Sequence, residues 1–139
     1  TSTLVEDCTA NVFWYERAIS TSEVKLLNEC QRVNMIPGMH EMARKSSLAR
    51  ALNRMRRLYP NDFDFFPATW NLPAQLDEFK REHAARAKAG SMPKTYIVKP
   101  SAGCQGAGIY LVNGPEELHP HTAAVVQEYL AAPALLDGY

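Results

Sequence analysis

A chain of 139 residues is long enough for one modest domain with a real core, and 46% hydrophobic with 22% charged residues is the make-up of an ordinary globular protein. Net charge is zero, with 15 basic and 15 acidic residues, and no apolar run is long enough to span a membrane. Cys8, Cys30 and Cys104 are odd in number and lack any C-x-x-C spacing, which argues against a disulfide framework or zinc site and fits a reducing compartment.

The N-terminal TSTLVEDCTA lacks the basic-then-apolar pattern of a signal peptide, and without a start methionine the chain reads as part of a longer protein. NVFWY (11–15) is a short strand candidate. Ser20-x-x-Glu23 is a capping box that predicts a helix through about Cys30. Pro37-Gly38 then marks a turn. A helix is expected to follow it to about Tyr59, with Leu48, Leu52, Met55 and Tyr59 on one apolar face and Arg50, Arg54 and Arg57 opposite.

Charge is unevenly spread. Residues 31–60 hold Arg32, Arg44, Lys45, Arg50, Arg54, Arg56 and Arg57 against Glu41 alone, which suits an anionic partner. Nucleic acid would require interleaved stacking aromatics, and this segment has only Tyr59. A solvated helix face accounts for the arginines equally well.

DFDFFPATW (62–70) is dense in aromatics and is expected to bury area against the later hairpin. Pro73 suits the first turn of a helix that runs through Leu76 and Phe79 to about Ala89, with Gly90 as its cap. The polar and small segment through Met92 and Pro93 is the best boundary, dividing the chain into 1–92 and 93–139.

TYIVKPSAGCQGAGIYLV (95–112) reads as strand, glycine loop and return strand. Gly103, Gly106 and Gly108 allow positive φ and close backbone approach, and successive N–H groups in such a turn suit phosphate oxygens. No Lys-Ser or Lys-Thr follows Gly108, which rules out a Walker loop. A Rossmann fingerprint would open a helix, whereas IYLV (109–112) prefers a strand. A kinase places its lysine after the loop, and Lys99 comes before it. Strand, Lys-Pro, glycine loop and return strand is the order of an ATP-grasp ligase. Downstream, Gly114-Pro115-Glu116-Glu117 starts a helical turn, and VVQEYL (125–130) reads as a strand. His119 and His121 bracket a proline and make weak metal ligands without a third partner, and Cys104 has no recognisable base beside it.

The hairpin, with K-P-x-x-G-C-Q-G-x-G-I, resembles that of the tubulin–tyrosine ligase-like family, and three further stretches match in order: VNMIPGMHEMARKSSLAR (33–50), FDFFPATWNLP (63–73) and VVQEYLAAPALLDGY (125–139). The wording is nearest to the polyglutamylating members. The resemblance implies an α/β, ATP-grasp-like fold, with 1–92 the N-terminal and linker region and 93–139 the first part of the nucleotide-binding unit. It implies a magnesium-dependent ligase that uses ATP to join free glutamate to the acidic tails of tubulin, in the cytoplasm on microtubules, with cilia and basal bodies as a further location, and with no nucleic acid or membrane partner. Carried over, Lys45 meets the γ-phosphate and Lys99 the inner phosphates. Gln105, Gly106, Gly108 and Ile109 belong to the phosphate loop, and Gln127, Tyr129 and Leu130 to the adenine edge. No metal ligand falls within the chain: the family's acidic and asparagine ligands come after D-G-Y, so residues 1–139 alone are expected to be inactive. A tyrosine- or glycine-adding relative, or a noncatalytic nucleotide- or microtubule-binding module, stays open.

Overall fold

The computed structural model describes residues 10–103, 105–119 and 123–136, and its contacts divide the chain into two units that meet between Arg44 and Lys45. The first unit is small. Strand β1 (Val12–Phe13) pairs in parallel with β2 (Arg32–Val33). Just past both strands, Asn34 acts as a surrogate backbone: its Oδ1 accepts from the Tyr15 amide at 2.8 Å and its Nδ2 donates to the Tyr15 carbonyl at 2.9 Å. The capping box forms at helix α1 (Thr21–Val24), with Ser20 accepting from the Glu23 amide and Glu23 accepting from that of Ser20. Arg17 and Ser20 hydrogen bonds hold the Glu23 carboxyl down at about 2.

That helix is shorter than the expected run to Cys30. Asn28 ends the possibility, because its Oδ1 takes the Cys30 amide while Gln31 Oε1 takes the Asn28 amide, a local turn that competes with helix. The helix expected after Pro37-Gly38 is two helices. Gly38, at φ +80°, leads into α2 (Met39–Ala43), and the extended backbone of Arg44 stops it. Helix α3 (Lys45–Leu58) opens the second unit.

The second unit is a four-stranded antiparallel sheet in the order β3 (Thr69–Leu72), β6 (Ala124–Glu128), β4 (Tyr96–Pro100), β5 (Tyr110–Val112). The sheet therefore takes strands from both sides of residues 92 and 93. β3 was not anticipated. It is an edge strand of four residues between Pro67 and Pro73, and prolines are tolerated at such edges. Helix α4 (Leu76–Lys88) follows a cis Leu72–Pro73 bond, so Pro73 precedes the helix rather than occupying its first turn. Gly90, at φ +64°, ends α4 in a Schellman arrangement, with the Gly90 amide on the Ala87 carbonyl and that of Ser91 on Arg86.

Strand alternation sorts the side chains onto two faces. Trp70, Tyr96, Val98, Val112, Ala124 and Val126 point toward α4 and enclose Phe79 with Leu118. The Phe79 ring centroid lies 4.9 Å from those of Trp70 and Tyr96, the latter edge-on. Of the aromatic stretch, Trp70 enters this core whereas Phe65 remains 68% exposed. Thr69, Asn71, Ile97, Lys99, Leu111, Val125 and Gln127 occupy the other face, and α3 packs over its β3–β6 side. Of the expected apolar face of α3, Leu48, Leu52 and Met55 are half-buried and Tyr59 alone is exposed, and Lys45, Ala49, Asn53 and Arg56 turn inward with them. Polar members turn inward because they find backbone partners: Asn53 Nδ2 donates to the Thr69 carbonyl at 2.8 Å and Arg56 Nε to that of Phe63 at 2.9 Å.

Phe79 is fully buried among aromatic neighbours. Phe79→Ala is therefore expected to cost about 3–5 kcal/mol in equilibrium unfolding, against less than about 0.5 for exposed Arg81→Ala. Equal midpoints for the two variants would place the core elsewhere.

Candidate functional site

β4 delivers Lys99 to the face opposite its own core residues Tyr96 and Val98. Its Nζ donates to Gln127 Oε1 on the neighbouring strand at 2.8 Å. Lys45, the first residue of α3, reaches the same place from above: its Nζ donates to the Pro100 carbonyl at 3.1 Å and to the Gly103 carbonyl at 2.9 Å. The two lysines, Leu48, Ala49, Phe66, Thr69, Val125 and Gln127 line a cavity of about 100 Å³. No carboxylate lines it among the described residues. Burial, and then the nearby Lys45 charge, pull the Lys99 pKa below its ordinary value. Two ammonium groups facing one cavity give it a positive potential suited to an anion.

The glycine loop leaves β4 at this point. Gly103, Gly106 and Gly108 all have positive φ, as does the non-glycine Gln105 at 54°. Gly108 is the most constrained of them, since a Cβ there would also come within 3.2 Å of Pro100 Cγ. The loop is pinned at its start by the Ser101 amide on the Ala123 carbonyl and at its end by the Ile109 amide on Gly106. Between those points Lys45 ties it to α3. Gln105, Gly106, Gly108 and Ile109 are exposed along it; Cys104 lies outside the described residues.

Lys45, Lys99 and Gln127, assigned by the resemblance to different parts of a nucleotide, line one cavity. Tyr129 and Leu130 do not join them at the cavity: they follow the end of β6, exposed, with the Tyr129 amide on the Thr95 carbonyl at 2.9 Å. Glu128 points to the other face, where Lys94 and Arg86 pair with it. Sequence reasoning missed Thr69, Phe66 and the half-buried Asn53. The available signal was that the first two sit within FDFFPATWNLP, the third being unmarked by any motif. Of the basic segment, Arg50, Arg54 and Arg57 are exposed as expected, whereas Arg56 lies with its guanidinium 5.5 Å from the Phe66 ring centroid. The His119 ring lies tilted against that of Tyr110, His121 lies outside the described residues, and among those described no three His, Cys, Asp or Glu side chains cluster as metal ligands.

The sequence pattern of the Tubulin-tyrosine ligase family matches residues 23–139. The chain belongs to that family. It is 40% identical over 134 residues to a probable beta-tubulin polyglutamylase of Tetrahymena thermophila, covering 96% of this chain and 11% of that protein. It is also 40% identical to the human tubulin polyglutamylase TTLL13 and 37% identical to human TTLL6, again over 96% of this chain, but over 16% and 14% of theirs. The chain therefore spans a small part of these curated relatives. The mixed helices and sheet agree with the α/β, ATP-grasp-like class that the family implies.

Because Lys45 holds the last carbonyl of β4 and the loop carbonyl of Gly103, Lys45→Met should loosen the loop without disturbing the sheet. Amide exchange at 101–108 is expected to quicken about tenfold, while exchange in β4 and β6 stays as it was. Unchanged loop exchange would mean that the tether contributes nothing.

Proposed function

We propose that residues 1–139 contain the phosphate-binding part of an ATP-dependent carboxylate–amine ligase that adds glutamate to the acidic tails of tubulin. The observation that carries it is the meeting of Lys45 and Lys99 at one cavity with no carboxylate among its described lining residues, beside a positive-φ glycine loop that Lys45 tethers. Family membership and the polyglutamylase relatives support the reaction and the substrate. In this reading 1–92 is the N-terminal and linker region, and 93–139 the first part of the ATP-grasp domain, completed by β3 from the preceding region. The site of action is the cytoplasm, on microtubules and at cilia.

In the reaction, a substrate carboxylate oxygen attacks the γ-phosphorus and the bond to the bridging β–γ oxygen breaks. The products of this step are an acyl phosphate and ADP. The glutamate amine then attacks the acyl carbon, phosphate leaves, and the amine's proton is lost. The cavity is well below the ~300 Å³ at which small-molecule pockets begin, so it accepts charged phosphate oxygens rather than a whole nucleotide. Lys99 holds the inner phosphates. Lys45 exchanges its carbonyl partners for the γ-phosphate, which couples loop position to occupancy. Backbone N–H groups at Gln105, Gly106 and Gly108 cover the outer phosphates, Ile109 closes that loop through its own amide, and Gln127, Tyr129 and Leu130 border the adenine. The contribution is positioning and charge neutralisation. The described lining of the cavity offers charge to a phosphate and no carboxylate for Mg²⁺. The exposed stripe of Arg50, Arg54 and Arg57 is turned toward acidic peptide.

Full-length protein incubated with tubulin, ATP and glutamate should raise tubulin mass by multiples of one glutamate, and Lys99→Ala should abolish this; a single tyrosine or glycine increment would redirect the substrate reading. ATP binds the ammonium form of Lys99, so its affinity should hold at lower pH and fall as pH rises through a value below 10.5. An affinity that falls only above 10.5 contradicts the buried-lysine assignment. Lys99→Arg should rescue poorly, since a planar fork does not replace a compact ammonium.

Replacing Arg50, Arg54 and Arg57 together should raise KM for tubulin and flatten its salt dependence with ATP affinity unchanged. Normal modification by the triple variant at all salt concentrations reduces the stripe to a solvated face.

A further inference from the structure

Lys99 sits at the end of a chain of hydrogen bonds whose direction is fixed at its far end. Thr69, 4% exposed on β3, donates its hydroxyl proton to the Pro67 carbonyl at 2.7 Å. A carbonyl can only accept, so the Thr69 oxygen has no proton left for Gln127 and must itself accept. It does so from Gln127 Nε2 at 2.9 Å. With the amide nitrogen turned to Thr69, the amide oxygen necessarily faces the other way, toward Lys99 Nζ at 2.8 Å. An ammonium only donates, so the polarity matches along the whole relay.

We propose that Thr69 is a positioning residue for nucleotide binding, acting through Gln127 to hold the Lys99 ammonium toward the phosphates. The inference rests on the reading that Lys99 contacts phosphate. Thr69 itself is anchored independently of its side chain, because its own carbonyl accepts from Asn53 of α3 and its strand pairs with β6 at Gln127. The relay therefore hangs from a fixed point. Without the hydroxyl, the part-buried Gln127 amide nitrogen loses its acceptor and gains by rotating, which withdraws its oxygen from Lys99. Lys99 then faces a part-buried cavity with Lys45 as its charged neighbour and the acceptor gone.

The test measures ATP affinity of the full-length protein by calorimetry in a double-mutant cycle. Thr69→Val keeps the branched shape suited to a strand and removes only the relay. It should raise the Kd for ATP about tenfold, and Thr69→Ser, which restores the hydroxyl, should return it to within about threefold of wild type. In a Lys99→Met background, Thr69→Val should add less than about twofold, because the group it acts through is gone. Thr69→Ala, measured alongside, gives the same comparison without a second branch to pack. Equal losses from Thr69→Val with and without Lys99 would reduce Thr69 to a structural role and overturn the proposal. So would wild-type affinity in Thr69→Val and Thr69→Ala, or failure of serine to rescue. If Lys99→Met alone leaves ATP binding unchanged, the phosphate assignment of Lys99 falls, and this inference with it.

Discussion

A strand turns successive side chains to opposite faces, and in β4 this period separates stability from chemistry within five residues. Tyr96 and Val98 are sealed against Trp70, Phe79 and Val126, while Lys99, one step on, emerges on the other face beside Gln127 and Val125. A slip of one residue in the pairing of β4 with β6 would put the lysine into the aromatic core and Val98 into the anion cavity. The register is held by the size of what it buries: Tyr96 and Val98 have no other place to go. The location of the positive charge is therefore a consequence of packing on the far side of the sheet.

Helix α3 depends on the same sheet face but solves a different problem. Its first residue must reach a loop after β4, while its body lies over β3 and β6. The extended Arg44 makes this possible by ending α2 and letting a new helix start at Lys45. Inward polar residues on α3 then find their partners in backbone carbonyls: Lys45 on Pro100 and Gly103, Asn53 on Thr69, Arg56 on Phe63. Such contacts read geometry rather than side-chain identity. Two of them join α3 to different parts of the same site.

The hairpin and its lysine were legible because glycine loops leave a composition signature and Lys99 precedes the loop at a fixed spacing. The α4 cap at Gly90 was legible for the same reason: a single left-handed residue is a local requirement. What escaped was whatever depends on a partner distant in sequence. β3 is a strand only because β6, more than fifty residues later, pairs with it, and TWNL (69–72) between two prolines carries little strand signal. Arg56 looked like one more charge in a basic run, yet a carbonyl and an aromatic face draw it inward. Thr69 looked like part of an aromatic cluster. Its importance lies in which atom of Gln127 it faces, which no one-dimensional pattern expresses.

Bringing two ammonium groups to one cavity costs free energy. No carboxylate stands among its described lining residues, and burial already disfavours the charged form of Lys99. A carboxylate in place of Gln127 would relieve this, but it would also compete with phosphate for the same protons. A neutral amide is the intermediate solution: it accepts one hydrogen bond from Lys99 and leaves the remaining protons and the full charge for the ligand. The carbonyls that hold Lys45 act in the same way, as dipoles that restrain an ammonium without neutralising it. Neutral acceptors thus orient both cations while preserving their attraction for an anion, and under the proposed ligase reading this is electrostatic preorganisation for phosphoryl transfer.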